Sequence, residues 1–475
     1  GFYSETRAED VYVSGANYGR YYLFHETKVD SVADRFQFDI NIGKFYAGAW
    51  YEVTHDTLLN AATKDSISQR YIGWESGGLS VHAGNFYQVF DRGLILNAYR
   101  DDNVSIDKLL DGSKISGRYQ YMDFDILAAS SALREDTILE HKYPTMRAAR
   151  VKFKPFDFIH VGGGHVRLLQ NLETAGNVKT NMTEINARIN YKYIDGYIEY
   201  AMRDGYYIDF LGGKSNRDGD GTYANVNAHY WKVSVLFEYK NYKYLTYPSV
   251  KGSFNQPPAV NHQERSLESL YNADGEVGWR VAVNFTQSAY WGVEIDYAES
   301  KSRDPHPYYE DPQYRDYLNE LFIEWRGVYH KNNEFILSFD RMKHTEKNEI
   351  TPKLELSYDI SDQYSINLTA YAIDYRIYER NPVDKEYIEK YLNFDINQSE
   401  KISVSIGGSW SDQKWGGAPA LAPNEMIYIE GTRKFANHEL IVFYGGQRGG
   451  LVCAGGICSI KPTFRGLKIS LLSRF

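Results

Sequence analysis

Cys453 and Cys458 bracket Ala-Gly-Gly-Ile near the C-terminus and are the two cysteines of the 475-residue chain. An even pair this close reads as a disulfide pinching a loop in an oxidising compartment. A redox or metal role is the alternative, yet there is no third Cys, and His438 is the sole His within fifteen residues. Asn216–Gly221 reads N-R-D-G-D-G, like the opening of a calcium loop. The acid expected at position twelve is missing from either Asn216 or Asp218, so a plain turn is the better reading. His160 and His165 are five residues apart, so on a strand they point to opposite faces and cannot share a metal. No haem attachment site, phosphate-binding loop or Gly-x-Ser-x-Gly elbow occurs. The expectation is a chain that is no enzyme, with no metal and no cofactor of its own. The stretch Phe90–Asp102 (F-D-R-G-L-I-L-N-A-Y-R-D-D) carries more charge at its ends than a simple loop needs, in Asp91, Arg92, Arg100, Asp101 and Asp102. Its charges run on through Asp107, Lys108 and Asp111.

The elements that must hold these residues are strands. The chain has 42 Tyr, 23 Phe and 8 Trp against 13 Pro, and its aromatic share is 15%. Mean hydropathy is nevertheless −0.52. A helical membrane span needs about 20 consecutive apolar residues. The longest apolar runs here are about five residues, such as Leu440–Tyr444, so helical spans are excluded. Period-two alternation recurs instead. Arg35–Ile42 sets Phe36, Phe38, Ile40 and Ile42 against Arg35, Gln37, Asp39 and Asn41. The segments 186–193, 232–240, 353–360 and 401–410 repeat the pattern, the last as K-I-S-V-S-I-G-G-S-W. One face is apolar; the other carries charges of both signs and must be wet, because unpaired buried charge is too costly. A soluble sandwich also has one wet face, so alternation alone does not decide the fold.

The connections do more. Short turns are expected at Gly43-Lys44, Gly77-Gly78, Met122-Asp123, Phe156-Asp157, Asp195-Gly196, 229–231, 287–289, 330–333, 361–363, 397–400 and 435–437. Longer polar loops lie between most of them, near 55–66, 91–112, 132–145, 170–181, 209–221, 244–276, 300–317, 377–386, 411–423 and 447–459. Tight turns alternating with long loops mark a transmembrane, antiparallel up-and-down β-barrel, with periplasmic turns and external loops. Eleven tight hairpins plus a first and a last strand give about 24 strands, within 22–26, in one domain over residues 1–475. An even count puts both termini on the periplasmic side of a bacterial outer membrane. The chain opens at Gly1 with no charged n-region or apolar h-region, so a signal peptide has either been removed or never existed.

The C-terminal stretch Phe464–Phe475 resembles the closing strand and insertion signal of porin-like bacterial outer-membrane proteins. Gly466, Ile469 and Leu471 match the family's Gly-x-x-apolar-x-apolar core, and Phe475 supplies the terminal aromatic. Phe464 departs from the family, which usually has a polar residue there. The segment from Asp91 to Asp102 resembles a loop that, in some such barrels, folds inward to narrow the pore. A solvated external loop is the plain alternative. The loop at 244–276, with Pro257-Pro258, is the other candidate for folding inward.

About 24 strands imply a backbone diameter of roughly 45 Å, too wide for side chains alone to fill. Strands begin by about residue 10, so an N-terminal plug domain of the TonB-dependent kind is not expected. Three readings follow. The first is a diffusion channel for small solutes, its selectivity set by lumen charges: Arg35, Asp39, Arg188, Lys192, Lys232, Glu238, Lys240, Arg280, Glu294, Asp296, Lys353, Glu355 and Asp359. Their mixed signs point to a transverse field rather than strong ion selectivity. The second is a sheath around a partner protein, as in porin–multihaem-cytochrome electron conduits. The third is a scaffold gated by a lipoprotein. The expected partners are outer-membrane lipid and lipopolysaccharide, with a periplasmic or lumen-filling protein (cytochrome or lipoprotein) in the second and third readings. At net charge −9, with no basic block, nucleic acid is not among them.

Overall fold

Ribbons with one greasy and one charged face can satisfy both if the charged faces share an enclosed aqueous interior. The computed structural model describes residues 11–25, 29–56, 61–101, 106–131, 140–172, 176–208, 214–247, 254–260, 275–288, 290–303, 317–330, 333–345, 347–377, 385–399, 401–412, 425–448, 450–454, 457–461 and 463–475. It is a closed antiparallel barrel of 24 strands, without helices among the described residues. Each strand pairs with its successor. The first, Val11–Phe24, also pairs with the last, Phe464–Arg474, from Ala16 opposite Arg474 to Phe24 opposite Gly466. That seam leaves no free edge, which a barrel in hydrocarbon requires. Lys214–Asn216 merely extends the end of Ile194–Ile208, and Gly450–Ala454 pairs with Ile457–Lys461 as a separate hairpin.

Eleven tight connections occupy one end of the barrel, and both described chain ends lie with them. Gly43-Lys44 and Gly77-Gly78 turn as expected, the two glycines of the second at φ 59° and 85°. Others are shifted. The turn expected at Asp195-Gly196 is instead Lys192-Tyr193, with Lys192 at φ 52°. Asp195 stays in the strand, where it holds Arg188 at 2.7 Å. The turn expected at 229–231 is Trp231-Lys232, with Trp231 at φ 54°. Non-glycine residues in the left-handed region are uncommon and carry no strong sequence signal. The turn expected at Met122-Asp123 falls just before them, since Met122 opens a strand.

Strand faces alternate as the pattern demands. Phe36, Phe38 and Ile42 are exposed on the outer wall, while Arg35 and Asp39 face inward to Glu52 and Tyr71. Aromatics on the outer wall gather at the turn end. Phe158 lies 5.5 Å from Phe156 and 5.4 Å from Tyr191, and Trp325 lies 5.5 Å from Trp291 and 5.0 Å from Phe335. Such a girdle is where amphipathic rings settle at a membrane interface. In the closing strand, Ile469 and Leu471 point outward, and the Phe475 ring stacks 5.7 Å from Phe36. A Cβ on Gly466 would sit 1.8 Å from the Leu23 carbonyl oxygen, so only glycine fits the seam there. Phe464 points inward among Phe24, Phe443 and Lys468, where a polar residue would face rings.

Candidate functional site

A 24-strand barrel is too wide to fill with its own wall side chains, so what enters the lumen decides what passes. The described residues 87–101 and 106–109, between the strands Leu79–Phe86 and Leu110–Arg118, pack inside the barrel. Phe90, Leu94, Ile95 and Leu96 are fully buried. They rest on inward-facing Leu127, Ala129, Met146, Ala148, Val166, Leu168, Met182 and Ala201. The lumen wall is therefore not polar throughout, as the alternation had implied. In these strands the inner face turns apolar towards the loop end, forming a small hydrophobic core inside the barrel. Gly164 sits under this contact, where a Cβ would meet the Ile95 side chain at 3.1 Å.

Polar groups fix the segment at both ends. Asp91, with 1% of its side chain exposed, pairs with Lys152 and lies 3.7 Å from Arg150. Arg150 also reaches Asp125, which Arg118 and Ser116 hold at 2.7 Å each. The Arg92 backbone N–H donates to Glu199 at 3.1 Å, and its guanidinium lies 5.2 Å from the Tyr197 ring. At the far end, Arg100 lies 3.8 Å from Glu52 and 3.6 Å from Asp107, while Arg35 holds the same Glu52 at 2.5 Å. Both guanidiniums approach the Trp50 ring, at 5.4 and 5.6 Å. Asp101 pairs through its backbone with Ile106; Asp102 lies outside the described residues. Burial pushes the Lys108 amine down to about 8, and its Nζ has no hydrogen-bond partner among the described residues.

A second inward piece, 254–260, braces the first. Asn255 donates to the Leu94 and Leu245 carbonyls at 2.8 and 2.9 Å and accepts from the Tyr247 N–H at 3.2 Å. Tyr247 donates to the Ile95 carbonyl at 3.0 Å, and Gln256 donates from its backbone to the Gly93 carbonyl at 2.9 Å. Gly93 has φ 84°, and a Cβ there would lie 2.9 Å from the Gln256 backbone carbonyl oxygen. The combined insert thus runs from the strand Phe45–Asp56 to the strand Val233–Lys243 and covers one sector of the wall.

Most of the charges singled out in the sequence face the lumen, in two different settings. Under and beside the insert, Glu238, Lys240, Arg280 and Asp296 are mostly buried and held in ion pairs. Lys240 holds Glu276 at 2.8 Å, and Arg280 holds Asp296 at 2.5 Å and Glu238 at 3.1 Å. On the uncovered wall, Lys353 and Glu355 pair at 2.8 Å, each with about a third of its side chain exposed. Asp359 lies on the same inner face, its backbone N–H donating to Asn333. Glu294 lines a lumenal niche of about 400 Å³ with Glu324, Arg326 and Glu334. Lys192 and Lys232 are corrections: both sit in tight turns, stacked on Tyr191 and Trp231, not on the lumen wall. The sequence reading missed Glu52, Trp50, Arg150, Glu184, Glu199 and Asn255. For the residues under the insert, the available signal was the apolar or small residues that replace polar ones on the inner face, at Leu127, Ala129, Met146, Ala148, Val166, Leu168, Met182 and Ala201. Cys453 and Cys458 are directly opposite in backbone register.

A family model described as "Family of unknown function (DUF6029)" matches residues 26–475. Among curated proteins, none matches the sequence. Solved structures share the architecture at low identity. A chain of the E. coli P pilus tip assembly intermediate PapC-PapD-PapK-PapG aligns at TM-score 0.54 and 9% identity, covering 98% of this chain and 61% of that one. The siderophore receptor PirA of Pseudomonas aeruginosa aligns at 0.49 and 11%, covering 98% and 80%. OccK3 (OpdO) of the same organism aligns at 0.44 and 12%, covering 72% and 93%. The likeness is one of fold alone.

Proposed function

Because the chain belongs to DUF6029, a family described as of unknown function, we propose its role from its own geometry: an outer-membrane channel for small polar solutes. The observation that carries this reading is the asymmetry of the lumen. Carboxylates beneath the insert, such as Asp125, Glu184 and Glu199, are at most 1% exposed. On the remaining wall, Lys353, Glu355, Glu324 and Glu334 keep between 21% and 35% of their side chains in solvent. Charged groups at that exposure, inside a closed barrel, line a water-filled path rather than a sealed plug. The girdle at the turn end and the outward apolar faces support a position in a membrane, and in this reading the turns and termini lie on the periplasmic side.

In this reading the insert is a constriction built by the chain itself. Asp91, Arg92, Arg100 and Asp101 set its position, and the lumen charges bias what passes. Gly466, Ile469, Leu471 and Phe475 would serve as the insertion signal. A lumen-filling cytochrome or a gating lipoprotein would have to displace an insert already docked on the wall. Purified protein in planar bilayers should give stable single-channel openings carried by small ions. A silent bilayer, together with a native complex absorbing at haem wavelengths, would replace the channel with a sheath.

A further inference from the structure

The outer wall carries a basic cluster at a height where hydrocarbon should give way to headgroups. Arg147 and Arg167 face outward and are directly opposite each other across the ladder between Glu140–Phe156 and Ile159–Leu172. Like charges in that relation repel and weaken a sheet. Neither guanidinium has a hydrogen bond or ion pair among the described residues. His165 lies on the same outward face, its Nδ1 2.9 Å from the Thr183 hydroxyl, and Lys179 is exposed one strand away. The outward carboxylates Asp111 and Asp204 are two strands off on either side, Asp111 4.0 Å from Arg70 and Asp204 3.4 Å from Asn181.

Immediately towards the membrane, the same face is concave. Small Ala128 and Ala149 beside Ile115 and Ile126 form the apolar part of a groove of about 430 Å³, and Arg147, His165 and Arg167 line its polar margin. The height fits an interface. Arg147 lies nine residues along its strand from Phe156 in the turn-end girdle, which for a strand tilted near 40° is about 23 Å. The apolar band of such a barrel is about 25 Å tall. The cluster therefore stands at the far edge of the band, in the leaflet on the loop side.

We propose that Arg147, Arg167 and His165, with the apolar groove beneath them, form a binding site for a phosphorylated, acylated lipid of the outer leaflet, the chemistry of lipopolysaccharide. A phosphate between the two guanidiniums removes their repulsion and accepts charge-assisted hydrogen bonds from both. An acyl chain fills the groove, where Ala128 and Ala149 leave room. The site rests on the membrane orientation proposed above, with loops outward, but not on conduction through the lumen.

The test is lipid retention by the intact barrel, followed by native mass spectrometry after exchange into detergent. The probes are bisphosphorylated lipid A, phosphatidylethanolamine and inorganic phosphate. The parent protein should keep lipid A in preference to phosphatidylethanolamine. The double variant Arg147→Gln/Arg167→Gln should lose that preference, by roughly tenfold or more in retained lipid A. Ala149→Trp, which fills the groove and leaves the charges, should also lower retention. Heat-modifiable gel mobility verifies that each variant still closes its barrel. Equal retention of lipid A by parent and double variant overturns the proposal, as does equal retention of the two lipids by the parent. Inorganic phosphate that binds the parent as tightly as lipid A does would identify a free-anion site and overturn the lipid assignment. Conductance recorded on the same preparations separates the two claims: lipid A binding by a silent barrel would sink only the channel.

Discussion

Replacing Asn255 by alanine should undock the lumenal insert while leaving the barrel closed. Asn255 is 2% exposed and lies outside the wall ladders. Its side chain satisfies two carbonyls, Leu94 and Leu245, and one N–H, that of Tyr247. Alanine removes all three hydrogen bonds from the docked arrangement, whereas undocking gives these groups water to bond with. At about 1 kcal/mol for each broken hydrogen bond, docking loses about 3 kcal/mol. That shifts the docked–undocked equilibrium on the order of a hundredfold. The assay is single-channel recording: Asn255→Ala should give larger, noisier openings than the parent, with unchanged heat-modifiable mobility on gels. Openings of unchanged size and noise from a correctly closed variant would refute the argument, because the insert would then not limit the current.

Four further outcomes are expected. Lys353→Glu places three negative side chains with Glu355 and Asp359 on one uncovered inner face, and should move the reversal potential under a salt gradient towards cation selectivity. At about 1 M salt, where screening acts within about 3 Å, Lys192→Glu should leave that potential unchanged, since Lys192 occupies a turn. For Lys108, the docked amine titrates near 8 instead of its ordinary 10.5. Between these values the undocked insert binds more protons, so docking strengthens as pH rises through that window and is weakest, and flat, below it. Lys108→Met should abolish this change in open-channel current, and a parent current independent of pH across the window would contradict the buried amine. The opposed backbone positions of Cys453 and Cys458 suit a cross-strand disulfide. Mass spectrometry of non-reduced protein should find both cysteines oxidised, and two alkylated thiols would remove the bridge.

What the sequence determined by itself is the wall. Period-two alternation in segments such as Arg35–Ile42 and 401–410, punctuated by tight turns, dictates a barrel, because each strand's faces are written locally and hydrocarbon forbids an open edge. The turn count carried the strand number even where turns slipped, as at Lys192-Tyr193, since a shift of two or three residues moves a hairpin without deleting it. The charge-dense segment from Asp91 to Asp101 was also legible as unusual. Its destination was not. That Asp91 meets Lys152, that Arg100 and Arg35 share Glu52, and that Asn255 ties Leu94 in place all depend on residues up to 161 positions apart. The same holds for the opposed Arg147 and Arg167, whose pairing is set by ladder register and whose height is set by strand tilt. Local pattern fixes which way a side chain points. Which side chains then share a space across the lumen is fixed by closure of the sheet, a property of the whole ring that no single strand encodes.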